Sequence, residues 1–283
     1  MVYTTFLLSM FLSSILVARS FITSVRLQPQ SQSLIMRASK KTKAFDNEPV
    51  YFEKPTSPVY KPRGPNQKKY VEHLNNPDVS VLLGVGPAGT GKTLFACATA
   101  VQEMRKGKVN KIILTRPVVP VEEDIGYLPG SLINKMHPWT RPIFDILEEF
   151  YSQRDIDSMV HSGAIEISPL AFMRGRTFKN AFIIADEMQN SSPNQMLMLA
   201  TRLGEGSRMV ITGDLNQSDR CENNGLLDLL GKIDSYQKFL ELTQDKMPQI
   251  KTVMLDNRDV ERSQIVSDIL KLYSNDLDTY TQE

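Results

Sequence analysis

The sequence predicts an α/β protein built as a three-layer, doubly wound, mostly parallel sheet. Short runs of apolar and β-branched residues recur at 79–85, 111–115, 164–168, 181–186, 209–212 and 251–255. Several are apolar throughout rather than alternating, which marks strands buried on both faces. Helical periodicity fills most of the gaps, and strands alternating with helices imply a parallel sheet covered on both sides. Ligands of such sheets lie beyond the C-terminal strand ends, so those ends are where chemistry is sought.

Ahead of the first strand, "PNQKKYVEHL" (65–74) reads as a short helix with Gln67 near its start. A Gln amide offers a donor and an acceptor side by side and can pair with an adenine edge. Helix capping or a surface position is the alternative use. The first strand then runs into "GVGPAGTGKT" (84–93). Gly86-x-x-x-x-Gly91-Lys92-Thr93 fits the phosphate-loop pattern, which arises by chance in roughly one chain per hundred of this length. The context strengthens it, because a helical run follows, with Leu94, Phe95, Ala98, Val101 and Met104 on one face and Gly107 as a stop. Strand, glycine loop and helix N-terminus together make an amide-lined cradle for phosphate oxygens. Gly86, Pro87, Ala88, Gly89, Thr90 and Gly91 form its wall. Lys92 is expected to reach the β and γ phosphates of a bound nucleotide, and the Thr93 hydroxyl to ligate Mg²⁺.

The strand "AFIIADE" (181–187) ends in two acids. Asp186 stands where a nucleotide-bound Mg²⁺ needs an outer ligand. Glu187 can polarise a water for attack on the γ phosphate. The strand "MVITGDLNQ" (209–217) ends at Gly213, Asp214 and Gln217, where the Gln amide can sense the γ phosphate or hold the attacking water. "NQMLMLATRL" (194–203) places Met196, Leu199 and Leu203 at helical spacing, a core face.

Residues 115–147 hold five prolines and the only tryptophan, Trp139. Pro117, Pro120 and Pro129 are expected to interrupt regular structure there, with "YLPGS" as a turn and Trp139 as a packing anchor, stacking on a nucleic-acid base being the alternative. Together with "NQKKYVEHL" and residues 167–219, this stretch resembles the PhoH-like ATPases over roughly residues 60–272. The resemblance implies a RecA-like P-loop NTPase fold, ATP hydrolysis and, in some members, RNA processing. It matches the phosphate loop, Asp186–Glu187, the GDxxQ element at Gly213, Asp214 and Gln217, and an adenine-side Gln67. The family usually reads DVVRH near its C-terminus. Here "DVERS" (259–263) keeps Arg262, which could stabilise γ-phosphate charge, while Glu261 and Ser263 depart. Ala185 and Met188 stand where Leu and Ala are expected, apolar changes that should affect packing alone. Relatives close their sites by forming rings, so the resemblance implies a homo-oligomeric ring, with a hexamer as one candidate size. Arg116, Arg174, Arg176 and Arg202 become candidates for contacts across a subunit boundary, Arg174 and Arg176 foremost, with surface salt bridges as the other reading.

Four domains of sequence follow: a leader at 1–45, a Pro-rich linker at 46–65, the ATPase domain at 66–275 and a polar tail at 276–283. Residues 5–18 are apolar or small but shorter than the roughly 20 residues of a membrane span. A basic, acid-free segment follows. The pair resembles the bipartite leader of proteins sent to complex plastids. Mitochondrial import, secretion and a retained anchor are the alternatives, and no stable membrane association is expected once the leader is removed. Residues 1–46 carry six basic side chains against one acid, so the remainder is about −4. That lacks the whole-domain basic footprint of a nucleic-acid binder, though a local patch for RNA or single-stranded nucleic acid remains open. Cys97 and Cys221 read as reduced, inert thiols, and three dispersed histidines suggest no zinc site.

Other activities are weaker fits. A small-molecule phosphotransferase shares the phosphate loop but does not need Glu187. A GTP switch needs Asn-Lys-x-Asp, and the Asn-Lys pairs at 110 and 134 are followed by Ile-Ile and Met-His. An ATP-dependent scaffold with incidental turnover remains open.

Overall fold

A computed structural model describes residues 57–117, 132–219, 224–243, 249–261 and Ile265, with 132–139 by backbone alone. All of them lie in the compact unit Pro49–Glu283. The leader, most of the linker, Cys221, Arg262, the "YLPGS" turn, the side chain of Trp139 and the tail lie outside this description.

Six strands form one parallel sheet: β1 (Val81–Val85), β2 (Lys111–Thr115), β3 (Ile165–Ile167), β4 (Ala181–Ala185), β5 (Arg208–Gly213) and β6 (Ile250–Met254). Their spatial order is β3-β2-β4-β5-β1-β6. Each falls within two residues of its expected place. Helices are α1 (Pro65–Asn75), α2 (Lys92–Arg105), α3 (Leu132–Phe150), α4 (Gln153–Ser162), α5 (Pro193–Ala200) and α6 (Gly225–Thr243). Helix α3 continues through Pro138 and Pro142, although each lacks the N–H that would bond four residues back.

Side chains alternate across the strands and divide the core into two layers of packing. Leu82, Ile112, Leu114, Phe182, Ile184 and Val210 join one cluster with Tyr70, Phe95, Leu147 and Ile156. Leu83, Val85, Ile113, Ile183, Ala185 and Ile211 join the other with Leu170, Met196, Leu199 and Leu226. Helices α1–α4 therefore cover one face, and α5 and α6 the other, which is the doubly wound arrangement. Ala185 and Met188 are fully buried, as expected of packing positions. Cys97 is buried too, and burial pushes its thiol well above the usual range.

This order places β4, β5 and β1 side by side. The segments that follow them in sequence, far apart along the chain, are brought to one edge.

Candidate phosphate-binding site

The loop after β1 begins under tight packing. Gly86 has φ +153 and its N–H donates to the Gly213 carbonyl at 3.1 Å. A Cβ there would meet the Leu255 carbonyl oxygen at 2.3 Å, so glycine is required. Tyr70 of α1 anchors the loop's far end by donating to the Lys92 carbonyl at 3.2 Å. Burial raises the Tyr70 hydroxyl far above its ordinary value, and the negative charge of Asp186 raises it further.

The Lys92 ammonium curls over the loop and donates to the carbonyls of Gly86 at 2.6 Å and Pro87 at 2.7 Å. Reaching a phosphate means exchanging these acceptors for phosphate oxygens. The first turn of α2 adds amide donors and the positive end of the helix dipole. A cleft of about 230 Å³ is lined by Ala88, Gly89, Gly91, Lys92, Thr93, Leu94, Asp186, Glu187, Gly213, Asp214 and Gln217. The structure thus brings the sequence-predicted phosphate, metal, base and sensor residues to one hollow.

Asp186 follows β4 and is buried. The Thr93 hydroxyl donates to its Oδ1 at 2.8 Å, and the Thr212 hydroxyl to the same oxygen at 2.5 Å. Thr93 and Asp186 fit a Mg²⁺ site: the ion takes one or two protein oxygens and fills its shell with water and phosphate oxygens. Such an ion would supply charge neutralisation at the phosphates. Glu187 sits in the left-handed region, φ 54 and ψ 39. Its carboxylate lies 3.6 Å from Arg116 and accepts from the Gln189 amide at 2.5 Å. Gln217 is exposed in the short turn Leu215–Gln217 after β5.

Gln67 departs from its expected role. It is 1 % exposed, its Oε1 accepts from the N–H of Arg63 at 2.7 Å and of Gly64 at 3.2 Å, and its Nε2 donates to the carbonyls of Asp259 at 3.0 Å and Thr90 at 3.3 Å. Both ends of the amide are occupied by backbone, so the capping alternative is the one realised. Gln67 ties α1, the phosphate loop and the 256–261 segment together instead of facing an adenine edge. That segment also lies along the loop, with the Glu261 N–H donating to the Gly89 carbonyl at 3.0 Å and its side chain 3.3 Å from Arg63.

The chain belongs to the PhoH-like family. Residues 59–274 match the family described as PhoH-like protein. A PhoH-like protein of Synechocystis is 39% identical over 217 residues, 75% of this chain and 62% of the relative. One of Bacillus subtilis is 41% identical over 212 residues, 73% and 61%. The protein PhoH of Escherichia coli is 35% identical over 223 residues, 77% and 59%. The matched region thus spans about three fifths of these relatives. Among solved structures, a Sulfolobus solfataricus SWI2/SNF2 ATPase core in complex with dsDNA aligns at 15% identity with TM-score 0.38, over 71% of this chain and 46% of that one. That likeness is too loose to bear on function.

Sequence reading missed Thr212 and Gln189. The signals were a lone hydroxyl ending an apolar strand beside an acid, and an amide two residues past Glu187. Of the candidate boundary arginines, Arg176 pairs with Glu166 and Arg202 donates to the carbonyls of Met198 and Arg176. Arg116 faces Glu187 within its own chain. Arg174 is exposed.

Proposed function

We propose that the protein binds ATP with Mg²⁺ and hydrolyses it, coupling turnover to the remodelling of RNA or another single-stranded nucleic acid. The observation that carries this is the meeting of Lys92, Thr93, Asp186, Glu187 and Gln217 in one cleft. Lys92 and the loop amides bind and orient the triphosphate. Asp186 and Thr93 hold the metal, whose role is to neutralise charge. Glu187 takes the proton of the attacking water, and Gln217 positions that water. Catalysis of phosphoryl transfer is mainly positioning and charge stabilisation, and these are the groups the cleft supplies. Arg262, outside the described residues, keeps its proposed role at the γ phosphate.

The working form is a homo-oligomeric ring, with Arg174 as the side chain offered to a neighbour because Arg176 and Arg202 are engaged within their own chain. The leader directs the chain to an organelle, a plastid foremost.

Calorimetry with MgATP and steady-state hydrolysis, with and without single-stranded RNA, test the reading. Binding and RNA-stimulated turnover are expected. Glu187→Gln should bind ATP within about twofold of the parent and turn over about 10³-fold more slowly, within the span of general-base effects. Parent-rate hydrolysis by that variant removes Glu187 as the base. Binding without turnover in the parent favours the scaffold reading, and no heat with MgATP overturns both.

A further inference from the structure

The geometry points to Gln189 as the positioning residue that ties Glu187 to the turn carrying Gln217. It rests on the hydrolysis reading above, since it assigns a role within the same site. Gln189 is 1 % exposed, and each end of its amide meets a partner of fixed polarity. Its Nε2 donates to Glu187 Oε2 at 2.5 Å, and its Oε1 accepts from the Asp214 N–H at 3.1 Å. An ionised carboxylate only accepts and a backbone N–H only donates, so the orientation of the amide is set by its surroundings.

Three further features hold the bridge. Glu187 occupies a left-handed conformation that non-glycine residues keep only when neighbours enforce it. The turn Met188–Asn190 is fastened to the segment after β5, the Ser218 hydroxyl donating to the Gln189 carbonyl at 3.0 Å and the Asp219 N–H to Asn190 Oδ1 at 3.1 Å. Gly213 leaves room for the amide, because a Cβ there would lie 2.8 Å from Gln189 Oε1. Arg116 reaches the other oxygen of Glu187 at 3.6 Å. The carboxylate is thereby aimed from two sides, and one of those sides is rigidly joined to Asp214. A displacement at Asp214, where the Leu215–Gln217 turn begins, reaches the Glu187 carboxylate through the Gln189 side chain, so water positioning and proton acceptance are set together.

Two variants of the full chain test this. Gln189→Met keeps the length of the side chain and removes both hydrogen bonds. It should lower the single-turnover hydrolysis rate about 10–100-fold, the usual effect of losing an outer-shell partner, with ATP affinity by calorimetry within about twofold of the parent. Gln189→Glu keeps the acceptor and regains a donor only when protonated, and the neighbouring Glu187 raises its pKa. It should be slow at pH 8 and recover towards the parent as pH falls, while the parent shows no such recovery. Should Gln189→Met not fold, the pH profile of Gln189→Glu carries the test. Turnover of Gln189→Met within twofold of the parent, or a Gln189→Glu profile parallel to the parent's, overturns the inference. If Glu187→Gln is inactive while Gln189→Met is not, this inference alone falls; if Glu187→Gln retains the parent rate, the hydrolysis reading falls first.

Discussion

The two ends of the sheet both bury a charge, and they treat it in opposite ways. At the N-terminal end, Arg208 opens β5. Its Nε donates to the Val79 carbonyl at 3.0 Å, its Nη1 to Leu74 at 2.8 Å and Glu103 at 2.5 Å, and its Nη2 to His73 at 3.2 Å and Asn76 at 3.1 Å. Every donor is used, and the charge is met by a carboxylate from α2. At the C-terminal end, Asp186 receives two neutral hydroxyls and forms no ion pair among the described residues. Its negative charge is felt inside the fold, adding to burial in raising both Tyr70 and Cys97. The scaffold end neutralises its charge internally. The other end leaves its carboxylate without such an internal counter-charge among the described residues.

Removing the charge at the functional end gives the sharpest test of that contrast. Asp186→Asn keeps an acceptor for both hydroxyls and relieves a buried charge that has no ion-pair partner among the described residues. The melting temperature should stay level or rise. Hydrolysis of MgATP should fall about 10³-fold, equivalent to about 4 kcal/mol of barrier, as expected when a metal ligand is lost. Thermal melting and initial rates measure both. A drop in melting temperature of several degrees would place Asp186 with the scaffold charges.

The converse change belongs to the other end. Arg208→Met leaves Glu103 buried and alone and frees four backbone carbonyls. Breaking a buried pair costs about 3–5 kcal/mol, and the side chain's 12% exposure puts this one near 3 kcal/mol. The melting temperature should fall by roughly 6–12 °C. Turnover per folded molecule at 25 °C should be unchanged, because no atom of the network lies in the cleft. A loss of turnover without loss of stability would break the division between the two ends.

What the sequence made legible follows the same division. The six strands could be read because burial on both faces leaves plain apolar runs, and the phosphate loop because few other folds need Gly86, Gly91, Lys92 and Thr93 at that spacing. Asp186 and Glu187 were visible as acids ending an apolar strand. The partners of these residues were not. Thr212 and Gln189 act through bonds to groups 26 and 2 residues away, and only the pairing of β4 with β5 brings Thr212 to Asp186. Arg208 resembles any basic residue at a strand start until the carbonyls around it are seen. Gln67 was legible as a polar helix-start residue, but its direction was not: backbone N–H and carbonyl groups of three segments claim the amide, and sequence spacing carries no record of them.

The smallest effect is expected at the outer strand, where a charge pair serves neither end's purpose. Glu166 of β3 accepts from Arg176, and from Lys111 at 3.1 Å. The Arg176 hydrogen bond holds its carboxyl below the ordinary 4.5; burial opposes this and Lys111 assists. Its pKa is lowered on folding, so the stability it contributes is complete above the unfolded value. That contribution is lost as pH falls through the lower folded one. Glu166→Gln should therefore be less stable than the parent by under about 1 kcal/mol at pH 7, since the pair is partly exposed. The gap should hold constant down to about pH 5.5 and close below 4.5. Denaturant unfolding at pH 7 and pH 3.5 measures it. Arg176 also stacks over Phe178, 4.6 Å from the ring centroid, so the same variant should leave the guanidinium in place and the oligomeric state unchanged. A gap as large at pH 3.5 as at pH 7 would show that Glu166 acts through packing rather than charge, and a change of assembly would return Arg176 to the subunit boundary.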